Sequence, residues 1–555
     1  MKNQSTRFTA VLITAAMAVS MLAGCGAAQS SSTTAAAKAA GSAAAGTSAA
    51  SAGTKAAAAG TKAAAASGLS FSVCCGSEDA LSINTAKAKT IEGISACRHL
   101  YEGLYKLDEK GNVVLGQAAK DDISSDGLTR TFTLRDDIKW SDGTAVKAAD
   151  FIYGWKYLKE CKEDYASLMD IVKEAKATDD KTLVVTLKFA CSYLPSILAF
   201  PSAYPVREDI VTKYADSYAT DPDKTVYNGA YKVTSWTHQQ SLVMAARDDY
   251  YNAKAITAKQ VTWNLMTDTS TMLASYKSGD IIYSDSYPEE QAESMKDKGL
   301  NFAPGYNTYC VMFNVGKKGP EALKDAKVRK ALTLAIDRSR IAKMRNLNDE
   351  LANTYTPTGL KNKEGKDFTT TVTPWFDNDK YKENCEEAKK LFAEAGYGDS
   401  KKFPAMKYIV NNAGRKEVAE AVVSDWKEVL GIDSVTVETV DGFFNQRSSQ
   451  EYDFAYYGWY MDYPDISNML YTMTTGSSNS GYENKDYDTA YNAAISAKDE
   501  ATTWKSYAKC EDLLAKDMPV APLLHSQNSY LFDSSKYDGL VYYCGNSYFG
   551  YVHQK

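Results

Sequence analysis

The residues best placed to do chemistry lie in one stretch: Gly458, Trp459, Tyr460, Met461, Asp462 and Tyr463, preceded by Asp453, Phe454, Ala455, Tyr456 and Tyr457 and followed by Pro464. The run is aromatic and opens with strong strand propensity. Gly458 removes a side chain, Trp459 offers a flat wall, and Asp462 sets one carboxylate at the end of the run, before Pro464 stops regular pairing. Such a strand could pair its backbone with another extended chain while the aspartate neutralises a cationic end group. That would bind peptides without reading their side chains. From these residues alone a buried strand followed by a turn fits equally well.

Little else in the chain points to catalysis. The four histidines, His99, His238, His525 and His553, share no ligand spacing. There is no paired Cys-x-x-Cys, no His-Glu-x-x-His, no phosphate-cradling Gly-x-x-x-x-Gly-Lys-Ser/Thr loop and no Gly-x-Ser-x-Gly elbow. No metal and no cofactor is expected. With 63 Lys and Arg against 69 Asp and Glu, the net charge of -6 leaves no broad basic field, which argues against nucleic acid. The 38 tyrosines supply rigid apolar area with polar tips, suited to polar organic ligands, though an aromatic-rich core accounts for most of them.

The N-terminus reads as an address and a tether. Lys2 and Arg7 precede an apolar run from Phe8 to Leu22 that is short for a bilayer, and Leu22-Ala23-Gly24-Cys25 follows. Residues 1–24 are expected to be an export signal. Residues 25–68, nearly all Ala, Ser, Thr, Gly and Lys, cannot bury enough surface to fold and read as a flexible tether. Ten cysteines leave an odd number once Cys25 is set aside, with no disulfide framework in their spacing. Cys74 and Cys75 are expected at the end of a buried first strand.

Farther along, Lys106 to Val113 reads as a hairpin with Gly111-Asn112 at its tip. In Val328 to Ile341, the residues Val328, Ala331, Leu332, Ala335 and Ile336 share one helical face. Arg329, Lys330, Asp337 and Arg338 fall off that face and are expected in solvent. Gly396 sits where a helix C-terminal cap belongs.

Six blocks, in order, carry a resemblance: Phe132 to Leu158, Val226 to Lys254, Tyr276 to Asp285, Val328 to Ile341, Asn384 to Tyr397 and Tyr452 to Leu470. Together they resemble the large solute-binding proteins of peptide ABC importers, the family 5 oligopeptide-binding lipoproteins, from about residue 70 onward. The resemblance implies an α/β fold, a two-lobed periplasmic-binding-protein-like architecture of the large peptide-binder class with an extra inserted α/β domain. Lobe I would take 69–103, 222–305 and 523–555, lobe II 104–221 and lobe III 306–522. Leu-Ala-Gly-Cys resembles a lipobox, which implies diacylglycerol on Cys25. The protein would then be a monomer held by its lipid on the outer face of the cytoplasmic membrane, as on the surface of a Gram-positive-type cell, delivering peptides to ABC permease subunits without catalysis.

By the same resemblance Asp462 would pair with the peptide ammonium, the backbone of Gly458 to Met461, Tyr460 included, with the peptide main chain, and Trp459 would wall a side-chain pocket. Ile94, following Glu92 and Gly93, would offer a second backbone edge; Tyr306 or Tyr309 would line the cleft, a core role being the alternative for one of them, and Tyr165 stands in a segment resembling one that reaches the cleft in some members. Tyr456 stands where some members carry an arginine for the peptide carboxylate, and Tyr460 where some carry a disulfide cysteine, so carboxylate recognition and ligand length are open. Receptors of this family for nickel chelates, haem, oligosaccharides or opines remain alternatives, as does an exported hydrolase or adhesin.

Overall fold

The structure is a computed structural model describing residues 68–76, 82–345 and 348–555. Cys25, the export signal and all of the tether except Gly68 lie outside the described residues.

The chain builds two large apolar cores. One draws on residues between Val73 and Ile282 together with Phe532 to Val552; the other runs from Tyr309 to Leu524. Two long antiparallel strands, Leu300–Phe313 and Val520–Phe532, pass from one core to the other. They lie inside an eleven-stranded sheet. On one side of them come Phe454–Tyr460, Met406–Val410 and Val435–Thr439; on the other come Tyr283–Ser284, Leu69–Cys74, Ala258–Asn264, Ser241–Ala246 and Tyr231–Thr237. The two long strands pair over residues 300–304 and again over 308–312, with a register shift between Pro304 and Thr308. Pro304 has no N–H to give to a ladder. Beside it, a Cβ on Gly305 would stand 2.2 Å from Ser526 Oγ, and Tyr306 takes a φ of 49°. The sheet is therefore broken where the two lobes meet.

A separate antiparallel sheet orders Ala118–Ile123, Thr129–Leu134, Thr182–Leu187 and Val172–Ala177, with helix Ala148–Cys161 against it. Alternate residues of Thr129–Leu134 are buried, as one covered face requires. The hairpin is present as Tyr105–Leu107 paired with Val113–Leu115, Gly111 having a φ of 81°. Gly396 also takes positive φ, at 95°, at the end of its helix. Cys74 and Cys75 are buried at the end of the first strand, and every cysteine among the described residues is a free thiol.

The stretch from Val328 to Ile341 forms two helices, Ala326–Leu334 and Arg338–Arg345, rather than one. Asp337 caps the second, accepting the Arg340 N–H at 3.0 Å. Arg329 and Arg338, expected in solvent, are buried. Arg338 donates to the carbonyls of Pro522, Ile336 and Thr333 and lies 3.9 Å from the Phe376 ring centre; Arg329 donates to those of Asp517, Met518 and Leu323. Together they hold the segment that enters the long strand Val520–Phe532. A helical wheel cannot see this, because the acceptors at Asp517, Met518 and Pro522 lie nearly two hundred residues away.

Candidate functional site

Strand Phe454–Tyr460 pairs antiparallel with Asn307 to Phe313 along its whole length. On its other edge it pairs with Met406–Val410 at Phe454 and Ala455 alone. From Tyr456 to Tyr460 that second edge has no strand beside it among the described residues. The strand ends where Met461 N–H donates to Tyr306 O at 3.1 Å, at the register break between the lobes.

Asp462 follows, half-buried. Its N–H lies 3.4 Å from Asn468 Oδ1, and Asn468 Nδ2 donates to Asp462 Oδ2 at 3.3 Å. The same Oδ1 accepts from Trp459 Nε1 at 2.8 Å, so one amide orders both the tryptophan wall and the carboxylate. Asn468 rides on helix Ile466–Tyr471, whose N-cap is Asp465 through Ser467 N–H. Asp462 is thus not the cap. No cation among the described residues lies within ion-pair distance of it; burial pushes its carboxyl up from the ordinary value and the Asn468 amide pulls it partly back.

On the face of Tyr456, Gly458 and Tyr460, each side chain has a cross-strand neighbour. A Cβ on Gly458 would come 3.0 Å from the Tyr309 ring and 3.1 Å from Asn307 Oδ1, so the glycine is needed for close approach. Tyr460 stands opposite Asn307, 54% exposed, its hydroxyl hydrogen-bonded to that of Tyr309. Tyr309 itself is buried, with the Arg345 guanidinium 4.6 Å from its ring centre. Tyr456 is fully buried and lies 5.4 Å from the Arg415 guanidinium. Behind the strand, Arg447 sits 5.0 Å from the Tyr457 ring, its Nε buried without a hydrogen-bond partner.

These three arginines and Asn468 escaped sequence reasoning. Asn468 carried a signal, since it stands six residues after Asp462 on a helix capped by Asp465. The arginines come from three separate helices, Arg338–Arg345, Ala413–Leu430 and Phe443–Ser448, and none has a local motif. Arg345 is paired with Asp349 at 2.7 Å, whereas Arg415 and Arg447 have no carboxylate within ion-pair distance among the described residues.

The expectation for Ile94 fails. Thr90 caps helix Ile91–Leu100 through Gly93 N–H, so Ile94 is a buried helical residue whose N–H is spent on Thr90 O at 2.9 Å. It cannot offer a free backbone edge; the exposed residue at this end is Ile91. Glu92 reaches back over Gly76, where a Cβ would land 1.9 Å from its Cγ. Tyr306 lies at the register break with its ring 6.4 Å from that of Tyr543, and Tyr165 packs edge-on against Phe200 at 4.8 Å. The structure therefore gathers Asp462, Trp459, Gly458, Tyr460, Met461, Tyr309, Tyr306 and Tyr456 on and beside one strand end; Ile94 and Glu92 lie on helix Ile91–Leu100, and Tyr165 is linked to Tyr306 through Phe200, Arg98 and Tyr543. No group of three or more His, Cys, Asp or Glu able to hold a metal occurs among the described residues.

Comparison with known proteins gives a consistent answer. Residues 112–481 match the family described as "Bacterial extracellular solute-binding proteins, family 5 Middle". The periplasmic oligopeptide-binding protein OppA of Salmonella typhimurium is 33% identical over 487 residues, which is 82% of this chain and 87% of that protein. The periplasmic murein peptide-binding protein MppA of Escherichia coli is 29% identical over 486 residues, 82% of this chain and 87% of that one. Among solved structures, the unliganded open form of the murein tripeptide binding protein MppA superposes with a TM-score of 0.76 at 25% identity, covering 84% of this chain and 95% of that one. The Haemophilus influenzae OppA complex with RPPGFSPFR gives 0.61 at 25% identity, over 86% and 99%. No helix among the described residues is long and apolar enough to cross a membrane. The two-lobed α/β fold is that of these solute receptors, which are not enzymes, and this chain belongs to the bacterial extracellular solute-binding proteins of family 5.

Proposed function

We propose that this protein is a lipid-anchored extracytoplasmic receptor that captures oligopeptides between its lobes and delivers them to the permease of an ABC importer. The observation that carries the reading is Asp462: a carboxylate short of solvent, with no cation within ion-pair distance among the described residues, at the end of a strand edge that has no strand beside it from Tyr456 to Tyr460 among those residues. A peptide supplies what both lack. Its main chain pairs with the open edge whatever its sequence, and its ammonium meets the carboxylate in a charge-assisted bond. Trp459, held by Asn468, walls a side-chain pocket. Arg415, with no carboxylate within ion-pair distance among the described residues, lies beside Tyr456, which has no charge to offer, and stands as a partner for the ligand's carboxylate or an acidic side chain.

Lobe I comprises 69–103, 222–305 and 523–555, lobe II 104–221 and lobe III 306–522, with the crossing strands as hinge and ligand bound in the closed state. Greater likeness to an unliganded open relative than to a peptide complex supports reading the present arrangement as the ligand-free one. Anchoring is by diacylglycerol on Cys25 and a tether up to residue 68, and the receptor works as a monomer.

Native mass spectrometry of the purified chain tests the reading. Retained ligands, or ligands taken from an oligopeptide mixture, should be linear peptides with free amines. A sugar, a bile acid or a metal chelate as the retained mass, or cleavage of the offered peptides, would defeat it.

A further inference from the structure

Tyr463 follows Asp462 directly, yet its side chain belongs to the opposite core. It is 9% exposed and packs with the core built from residues 73–282 and 532–552. Its ring stacks on that of Tyr193, centroids 5.7 Å apart and planes 11° apart. Tyr193 lies just before helix Leu194–Leu198, in the part of the chain that carries the separate four-stranded sheet.

A second bridge runs beside the first. Ser192 N–H donates to Ile495 O at 2.8 Å, and its hydroxyl lies 3.5 Å from Ala494 O. Both acceptors end helix Lys485–Ile495, whose Tyr491 hydroxyl donates to Ser467 O at 3.2 Å. Ser467 adjoins Asn468, the residue that holds the Asp462 carboxylate. Lys498, exposed, reaches across to Ser125 O. The inserted sheet domain thus touches the Asp462 turn by a direct aromatic stack and by a relay of hydrogen bonds through one helix.

We propose that Tyr193 and its neighbours form an end stop that sets the ligand's register. They back the Asp462 turn with a rigid aromatic wall, so that a bound chain must begin at the carboxylate and cannot run past it. Tyr193 is then a positioning residue: it acts on the ligand through Tyr463 and Asp462. This rests on the reading of Asp462 as the ammonium partner.

The test is calorimetry of the full chain with one pentapeptide of alternating alanine and valine, presented with a free amine and with an acetylated one. Wild-type protein should bind the free amine about 100-fold more tightly, because the acetylated form strands the carboxylate and meets the wall. Tyr193→Ala should bring that ratio to about tenfold or less, by loosening the turn and opening space beyond it. Tyr193→Phe keeps the stack and should keep the ratio. Lys498→Ala, at an exposed site where folding is not at stake, should lower it about two- to fivefold. An unchanged ratio in Tyr193→Ala overturns the proposal, including the case in which both peptides weaken equally. Should that variant not fold, an unchanged ratio in Lys498→Ala overturns it. Wild-type protein that fails to distinguish the two peptides removes the ammonium reading itself, a different and recognisable failure.

Discussion

Replacing Asp462 by Asn keeps the shape of the side chain and leaves a carbonyl for the Asn468 amide, while removing the charge. The effect on peptide affinity can be worked from the site. At about 3 Å and an effective dielectric of about 20, the gross attraction between an ammonium and a carboxylate is about 5–6 kcal/mol. Drying the ammonium offsets much of that, and a hydrogen bond to a charged group contributes about 1.5–3 kcal/mol net. Asp462 is half-buried and has one weak competitor at 3.3 Å, which places it in the upper part of that range. A loss of about 2–3 kcal/mol raises Kd about 30- to 150-fold. Asp462→Ala should weaken binding at least about tenfold by the same reasoning.

Titration calorimetry across pH adds a second, independent sign. Burial raises the Asp462 carboxyl above its ordinary value, and only the ionised form can pair with an ammonium. Wild-type affinity should therefore fall as pH drops through that raised value, and Asp462→Asn should be flat over the same window. The ligand-free protein should move the other way. A carboxyl whose folded pKa lies above its unfolded one costs stability at pH values above both, so the asparagine variant should melt at a higher temperature without ligand and gain less from peptide. Affinity in Asp462→Asn within threefold of wild type, or an identical pH profile in the two proteins, would refute the assignment.

Three further outcomes are expected. Arg338→Ala leaves the carbonyls of Pro522, Ile336 and Thr333 without their donor and empties space beside Phe376, so denaturant unfolding should show a loss of about 3–5 kcal/mol, with little rescue by Lys. Gly229→Ala would drive a Cβ to 2.6 Å from Tyr101 N and 2.7 Å from Leu100 C, both backbone, and should give insoluble or unfolded protein on expression, with normal folding counting against the close packing described. His525 is held neutral by burial, its pKa lowered to about 3. Because the unfolded side chain protonates near its ordinary value, the stability this supplies is present in full above about pH 6.5 and is lost as pH falls toward 3; His525→Gln should flatten that part of the acid limb in a melting-temperature series.

Local signals were read well and remote ones poorly. The hairpin at Gly111 and the helix end at Gly396 follow from backbone demands that glycine meets within a few residues, and both stand where turn chemistry places them. The strand Phe454–Tyr460 is legible because its aromatic content and the following Pro464 are local. Arg329 and Arg338 were misread because a wheel scores only the position of a side chain on its own helix, not carbonyls arriving from residues 517–522. Arg345, Arg415 and Arg447 meet around Tyr309, Tyr456 and Tyr457 only after three helices fold against one sheet. Ile94 is a different case. The Thr90 cap on Gly93 N–H starts a helix at Ile91, and a helix takes up the Ile94 N–H that a free edge would need.

The open edge of residues 456–460 has one more consequence. A bare strand edge invites chains of its own kind to add on and grow into aggregates. Here the edge lies where the long strands cross from one core to the other, with the Asp462 turn and the Tyr193 stack at its end. A short chain with no fold of its own can add along such an edge with its backbone alone, whereas a folded partner must bring a free strand edge of its own. On the reading proposed above, the edge selects its visitors by whether they can lie extended, before any side chain is inspected.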